Sequence, residues 1–240
     1  MDMLMGDAIA AAKLADWVKL AQGLHARYLV DDFGAGARFL AAVGEAGAAV
    51  DHYPTVAMSA GHVDLKLVTA DAIYREEDGT EHVVEWPTQQ DLDLARRITE
   101  VAAEHRLTPD PKSVSVIELG LDTADSGTIA PVWAALLAGE AQAQGRGTPS
   151  DEIRDATGRV PNLWFGGASE EDSRQRFHVE VYLGPEEAKE RIAAALAAGG
   201  TVADDSEAPG MTVVADQDGN LGVICVDTSA VAGDDPTGQA

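Results

Sequence analysis

The chain contains one cysteine, Cys225, so no disulfide can close within it. Cys225 stands in Val223-Ile224-Cys225-Val226, an apolar strand pattern, and reads as a core thiol rather than a nucleophile. Basic residues are scarce: 17 Lys and Arg stand against 41 Asp and Glu, a formal net charge of −24. So acidic a surface repels phosphate backbones and anionic lipid heads, which argues against nucleic acid and membrane as partners and favours solubility. Long uncharged apolar runs are also missing. The Ala-rich stretch near the N-terminus carries Asp7, Lys13, Asp16 and Lys19, and Met1 to Met5 has no basic residue. Neither a signal peptide nor a membrane span is predicted, and the expected location is the cytoplasm.

What is present is enough apolar material for ordinary cores. Hydrophobic residues make up 45% of 240, sufficient for one large domain or two of about 110 residues. Asp7 to Leu24 reads as an amphipathic helix, with Ile9, Leu14, Trp17, Val18 and Leu24 near one stripe and Lys13 and Lys19 facing water. Arg27 to Asp31 is strand-like. Phe33 to Ala49 has Phe39, Leu40, Val43 and Ala46 at helical core spacing. His62 to Tyr74 alternates as one strand, Glu77-Asp78-Gly79-Thr80 is a turn, and Glu81 to Trp86 returns as the second arm of a hairpin. Thr88 is placed to cap a helix from Gln89 to Arg106, with Leu92, Ala95, Ile98 and Val101 inward. These elements make an α+β domain over 6–107, with helices on one face of an antiparallel sheet.

Two prolines within Thr108-Pro109-Asp110-Pro111-Lys112 mark a linker over 108–112. A second domain is expected over 113–227. Ser113 to Leu121 is a strand, Thr128 to Leu137 a helix, 145–158 a polar loop, and Asn162 to Phe165 a strand. The pattern then recurs: strand Phe177 to Leu183, helix Pro185 to Ala198, and short strands near Thr201, Met211 to Ala215 and Leu221 to Val226. Pro185, Glu186 and Glu187 suit that helix's start, and Gly199-Gly200 its end. The half therefore holds two copies of strand–helix–strands. Residues 228–240 are rich in Asp, Gly and Pro and read as a disordered tail.

The segment Leu14 to Arg106 resembles the pterin-4a-carbinolamine dehydratases. The resemblance is carried by Tyr28 to Phe33 leading into Phe39, by Asp51-His52-Tyr53-Pro54, by Val63 to Thr69, and by Asp91 to Ala95. It implies loss of water from a 4a-hydroxytetrahydropterin, a small planar ligand, no required cofactor, and assembly as a homodimer or homotetramer. The hydroxyl leaves with a proton and N5 loses one, tasks suited to groups that titrate near neutrality. The resemblance makes His52 the catalytic residue and Asp51, Tyr53, Pro54, Thr69 and Asp91 the substrate-binding set. Tyr53 stands where the family has its second histidine, Ala70 where it has its third, and Ala48 where several members have an acid. The pattern is thus an eroded one. Asp51 and Asp71 are the acids nearby in sequence.

Val114 to Val226 resembles the glyoxalase/bleomycin-resistance families of the vicinal oxygen chelate superfamily. The carriers are Asp125 with Val132 to Leu137, Leu163-Trp164-Phe165, His178, and Asp216 to Asn220, together with the internal repeat. The resemblance implies paired βαβββ modules forming a cupped sheet. Carried over, Glu118 and His178 are the metal ligands, while Val223 occupies the position of the final glutamate. Two side chains could hold a divalent metal with waters, or line a metal-free binding cup.

Three functions follow. One is a 4a-hydroxytetrahydropterin dehydratase-like lyase with an eroded site, fused to a glyoxalase-like small-molecule-binding domain. The second is a non-catalytic protein that binds or sequesters a small planar metabolite. The third is a metal-dependent glyoxalase- or dioxygenase-like enzyme.

Overall fold

Alternation, more than helix propensity, organises the first half of the chain. A computed structural model describes residues 1–123, 129–130, 152–153, 161–167, 177–217, 219 and 221–228. It divides into two units, with Met1–Val114 in one and Ser115–Val226 in the other.

The first unit opens with a short helix, α1 (Gly6–Ala11), followed by β1 (Trp17–Leu20) and β2 (Gly23–Leu29). This corrects the single helix expected from Asp7 to Leu24. Trp17 and Leu20 satisfy a helical stripe, but they also suit an antiparallel pair in which Trp17 faces Ala26 and Leu20 faces Gly23. Lys13 and Ala21 take left-handed φ values of 50° and 45°, which breaks helical continuity at both places. Lys19 does not simply face water: its ammonium lies 3.9 Å from the Trp86 ring centroid, a cation–π contact.

Helix α2 (Phe33–Ala48) starts where Asp32 Oδ1 accepts the Ala35 amide at 2.7 Å. It buries Phe39 and Val43 against the sheet. Strands β3 (Thr55–Met58) and β4 (His62–Leu67) complete a sheet of order β1-β2-β4-β3, with β7 (Thr108–Pro109) also paired to β2. The proposed linker is therefore partly ordered, its first residues held by Leu29 and Tyr28.

The strand expected from His62 to Tyr74 is two strands, β4 and β5 (Thr69–Arg75). Val63, Leu65, Leu67 and Thr69 keep one inward phase throughout and are all buried. What changes at Val68 is the partner: β4 pairs with β2 and β3, whereas β5 pairs with β6 (Glu81–Trp86). Thr69 thus ends an apolar row and brings a hydroxyl to the helix-facing layer. Helix α3 (Gln89–Glu104) then buries Leu92, Ala95, Ile98 and Val101 as expected.

The second unit is a seven-stranded sheet. In chain order its strands are β8 (Val116–Thr123), β9 (Glu152–Ile153), β10 (Leu163–Gly167), β11 (Phe177–Leu183), β12 (Thr201–Asp204), β13 (Met211–Ala215) and β14 (Leu221–Val226). The spatial order is β12-β13-β14-β11-β8-β10-β9. Helix α4 (Pro185–Ala197) follows β11. β11 runs parallel to β14, β8 runs parallel to β10, and β11 and β8 meet antiparallel at the centre. This is the arrangement of two modules back to back. Glu152 and Ile153 form a strand inside the stretch expected to be loop. The helix expected from Thr128 to Leu137 lies outside the described residues apart from Ile129 and Ala130, which are helical. Asp125, Asp218, Asn220 and nearly all of the expected tail also lie outside the described residues.

Candidate functional site

In the first unit the C-terminal end of α2 meets the N-terminal end of α3. Asp51 turns the chain out of α2 with a left-handed φ of 50°. His52 follows, its amide donating to Gly47 O at 3.1 Å. Across from it, Gln90 Nε2 donates to Val50 O at 2.9 Å and ties the two helix ends together. The imidazole then reaches α3: His52 Nε2 lies 2.7 Å from Asp91 Oδ1.

Asp91 is wholly buried and its oxygens are well supplied with donors. Oδ2 accepts the Thr69 hydroxyl at 2.6 Å and the Thr88 amide at 2.7 Å. The Thr69 and Thr88 hydroxyls lie 2.9 Å apart. The third residue of a helix also sits at the positive end of its dipole, which suits a carboxylate. Burial by itself would raise the Asp91 carboxyl, but the hydrogen bonds from His52, Thr69 and Thr88 outweigh it and hold the carboxyl below its usual range.

That direction has a consequence for stability. A carboxyl that titrates lower in the folded than in the unfolded chain stabilises the fold above its unfolded pKa, about 3.9. The contribution is lost as pH falls through the folded value. Urea unfolding of the first unit should therefore give a steady Asp91 contribution from pH 7 to 5 and a decline below about pH 4. Asp91→Asn should remove that acid-side part of the decline.

The structure brings His52, Thr69 and Asp91 into one network and adds Thr88, which the sequence marked only as a cap. It leaves the other candidates at its margin. Asp51 and Asp71 are exposed. Pro54 is half-buried. Tyr53 is 54% exposed, and its ring rests on Gly47. A Cβ at Gly47 would stand 2.6 Å from His52 O and 2.7 Å from Tyr53 Cδ1. The glycine therefore allows the His52 turn to close onto the helix. Gly47→Ala should cost about 1–3 kcal/mol by overpacking, despite the better helix propensity of alanine. Chemical denaturation would measure it, and a gain in stability would contradict the close approach. Ala70 is exposed at a register shift after Thr69, so a larger side chain has room there.

In the second unit the inward face of the central strands is polar. Glu118 on β8 is 1% exposed and faces Glu180 on β11. Trp164 Nε1 donates to Glu118 Oε2 at 2.6 Å, and Asn162 Nδ2 lies 3.4 Å from Oε1. His178 Nε2 is 3.2 Å from Glu180 Oε1, and the Tyr182 hydroxyl donates to Oε2 at 3.0 Å. Gly120 faces His178 across the strands, and a Cβ there would overlap the imidazole. Glu180 and Tyr182 were missed from sequence. Their signal was the spacing His178-x-Glu180-x-Tyr182, which places three polar groups on one face of a strand.

Cys225 is buried on this face, beside Tyr182 in register. Burial first, then the charges of Glu180 and Glu118, push its thiol up to about 12, which makes it a poor nucleophile. Glu118 and His178 are engaged by Trp164 and Glu180 respectively, and no cluster of three His, Cys, Asp or Glu among the described residues is arranged to hold a metal. Glu118 and His178, the two candidate ligands, are one short of the three protein ligands that a catalytic zinc normally takes.

Comparison with known proteins gives two matches in the one chain. Residues 4–101 match the family described as Pterin 4 alpha carbinolamine dehydratase, and residues 118–225 match the family described as Glyoxalase-like domain. The chain joins a pterin dehydratase-like domain to a glyoxalase-like domain. A solved structure of a transcriptional coactivator/pterin dehydratase from Brucella melitensis is 22% identical and covers 42% of this chain and 99% of that one, with a TM-score of 0.34. No curated protein matches. No helix among the described residues is long and apolar enough to cross a membrane.

Proposed function

We propose that the first unit removes water from a 4a-hydroxytetrahydropterin with His52 as its one proton carrier, and that the glyoxalase-like unit binds a small molecule without a catalytic metal. The observation that carries the first part is the 2.7 Å bond between His52 Nε2 and buried Asp91, inside the segment matched to the dehydratases. That bond anchors one ring nitrogen and leaves Nδ1 as the atom that meets the ligand.

One histidine suffices for the proton balance. The protonated imidazole gives a proton to the 4a-hydroxyl, which leaves as water when the C4a–O bond breaks. The N5 lone pair forms the C4a=N5 bond. The now neutral imidazole takes the N5 proton, so it ends as it began. Asp91 orients the ring, with Thr69 and Thr88 holding Asp91. Tyr53 offers an exposed ring to a planar ligand, Pro54 a rigid wall beside it, and Asp51 an exposed acceptor for the pterin's amino edge. The same reading makes the protein a cytoplasmic homodimer or homotetramer.

The test is turnover of freshly generated 4a-hydroxytetrahydropterin against the spontaneous reaction. A positioned acid–base group typically gives about 10²–10⁴-fold, and acceleration of that order is expected. Rates equal to the spontaneous one would replace the lyase with a non-catalytic binder, the reading that Tyr53 and Ala70 favour by occupying histidine positions.

A further inference from the structure

The sheet of the second unit has a second face, opposite His178, Glu180 and Tyr182, and α4 covers it poorly. The reason is in the residues. Toward the strands α4 presents mostly alanine: Ala188 is its one fully buried residue. The strands answer with β-branched side chains, Val179, Val181, Val214 and Ile224, and with Gly222. Small residues over a pleated surface leave space between them. A cavity of about 450 Å³ opens there, lined by Val179, Val181, Ile192, Ala195, Val214 and Ile224. That lies within the ordinary range for small-molecule sites. Gly222 lies on its floor, and a Cβ built there meets nothing nearer than Val179 O at 3.9 Å. The room is therefore real at a position where any side chain would reduce it.

We infer that this cleft is a binding site for a neutral, mainly apolar small molecule with one polar end, separate from the polar face of the same sheet. The walls exclude a charged body, because they offer no group to replace its hydration. The margin is polar but internally compensated. Arg191 Nε donates to Glu187 Oε1 at 2.8 Å, and Gln217 Nε2 donates to Ala198 O at 3.0 Å. Asp216 adds a carboxylate. With a chain charge of −24 around it, the margin gives an anion no net attraction. A cleft with such walls takes apolar guests in preference to charged ones.

The probe is 1-hexanol, with hexanoate and hexylammonium as charged counterparts of the same chain, added to the full-length protein labelled at Ile and Val methyl groups. Hexanol should shift the Ile192 and Ile224 methyl resonances saturably, and each charged counterpart should bind at least about tenfold more weakly, the cost expected for leaving a charge unpaired against apolar walls. Gly222→Val fills the floor and Ala195→Leu fills the roof; each should remove the saturable shift while the folded spectrum is kept. No saturable shift in the native protein, or an undiminished shift in both variants, overturns the site. Equal binding of the charged counterparts overturns the assigned ligand class. His52 lies in the other unit, so failure of the dehydratase reading would leave these shifts unchanged.

Discussion

Asp91→Ala is expected to destabilise the first unit by about 3–5 kcal/mol, the cost of breaking a buried, hydrogen-bonded ionic network from one side. Asp91 is fully buried, and four groups converge on it: His52 Nε2, the Thr69 hydroxyl, the Thr88 hydroxyl and the Thr88 amide. Alanine takes away every acceptor at once. The Thr88 amide is an N-terminal helix donor that α3 cannot satisfy internally, and the Thr69 hydroxyl is buried at the end of an apolar row. Asp91→Asn keeps one acceptor oxygen and should lose less. Urea unfolding of both variants at pH 7 measures the difference. If Asp91→Ala unfolds at the native midpoint, the network contributes nothing and His52 has no fixed orientation to exploit.

The second large effect is kinetic. His52→Ala should lower dehydration by about 10²-fold or more, toward the spontaneous rate, because the other titrating group of the network, Asp91, is buried and occupied by its own donors. Stability should fall less, by about 1–3 kcal/mol, as Asp91 loses one of its partners. His52→Gln separates the two effects. Glutamine can still donate to Asp91 but cannot exchange a proton near neutrality, so stability should recover while the rate stays low. A rate that recovers with glutamine would make His52 a positioning residue rather than the proton carrier. Conversely, Ala70→His adds a titrating group at an exposed position with room for it, and should raise the rate of the native protein.

Sequence reasoning reached the two-domain α+β organisation because both halves carry local signals. Thr88 announces the start of α3, Pro185 and Gly199-Gly200 bound α4, and Val63 to Thr69 alternates without a slip. It failed where one pattern serves two structures. Trp17 and Leu20 are three apart, which suits a helix face, yet each has a cross-strand partner that only the tertiary pairing reveals. The site was legible residue by residue but not as a network. His52 and Asp91 are 39 positions apart, and no local pattern shows that one Asp91 oxygen caps α3 while the other holds an imidazole. Trp164 enters the sequence reading only as part of the Leu163-Trp164-Phe165 strand, and its indole N–H donates to Glu118. The bond to Glu118 depends on β10 lying parallel to β8, a long-range feature that no local spacing encodes.

The central claim is that His52 is anchored through Nε2 by Asp91 and presents Nδ1 to the pterin. The most direct measurement follows the two His52 ring nitrogens by ¹⁵N NMR while a non-reacting reduced pterin is titrated into the full-length protein. The account predicts a saturable change at Nδ1, with the Nε2 signal remaining that of a nitrogen bonded to a carboxylate. Saturable pterin binding that leaves Nδ1 unmoved, or that releases Nε2 from Asp91, would contradict it.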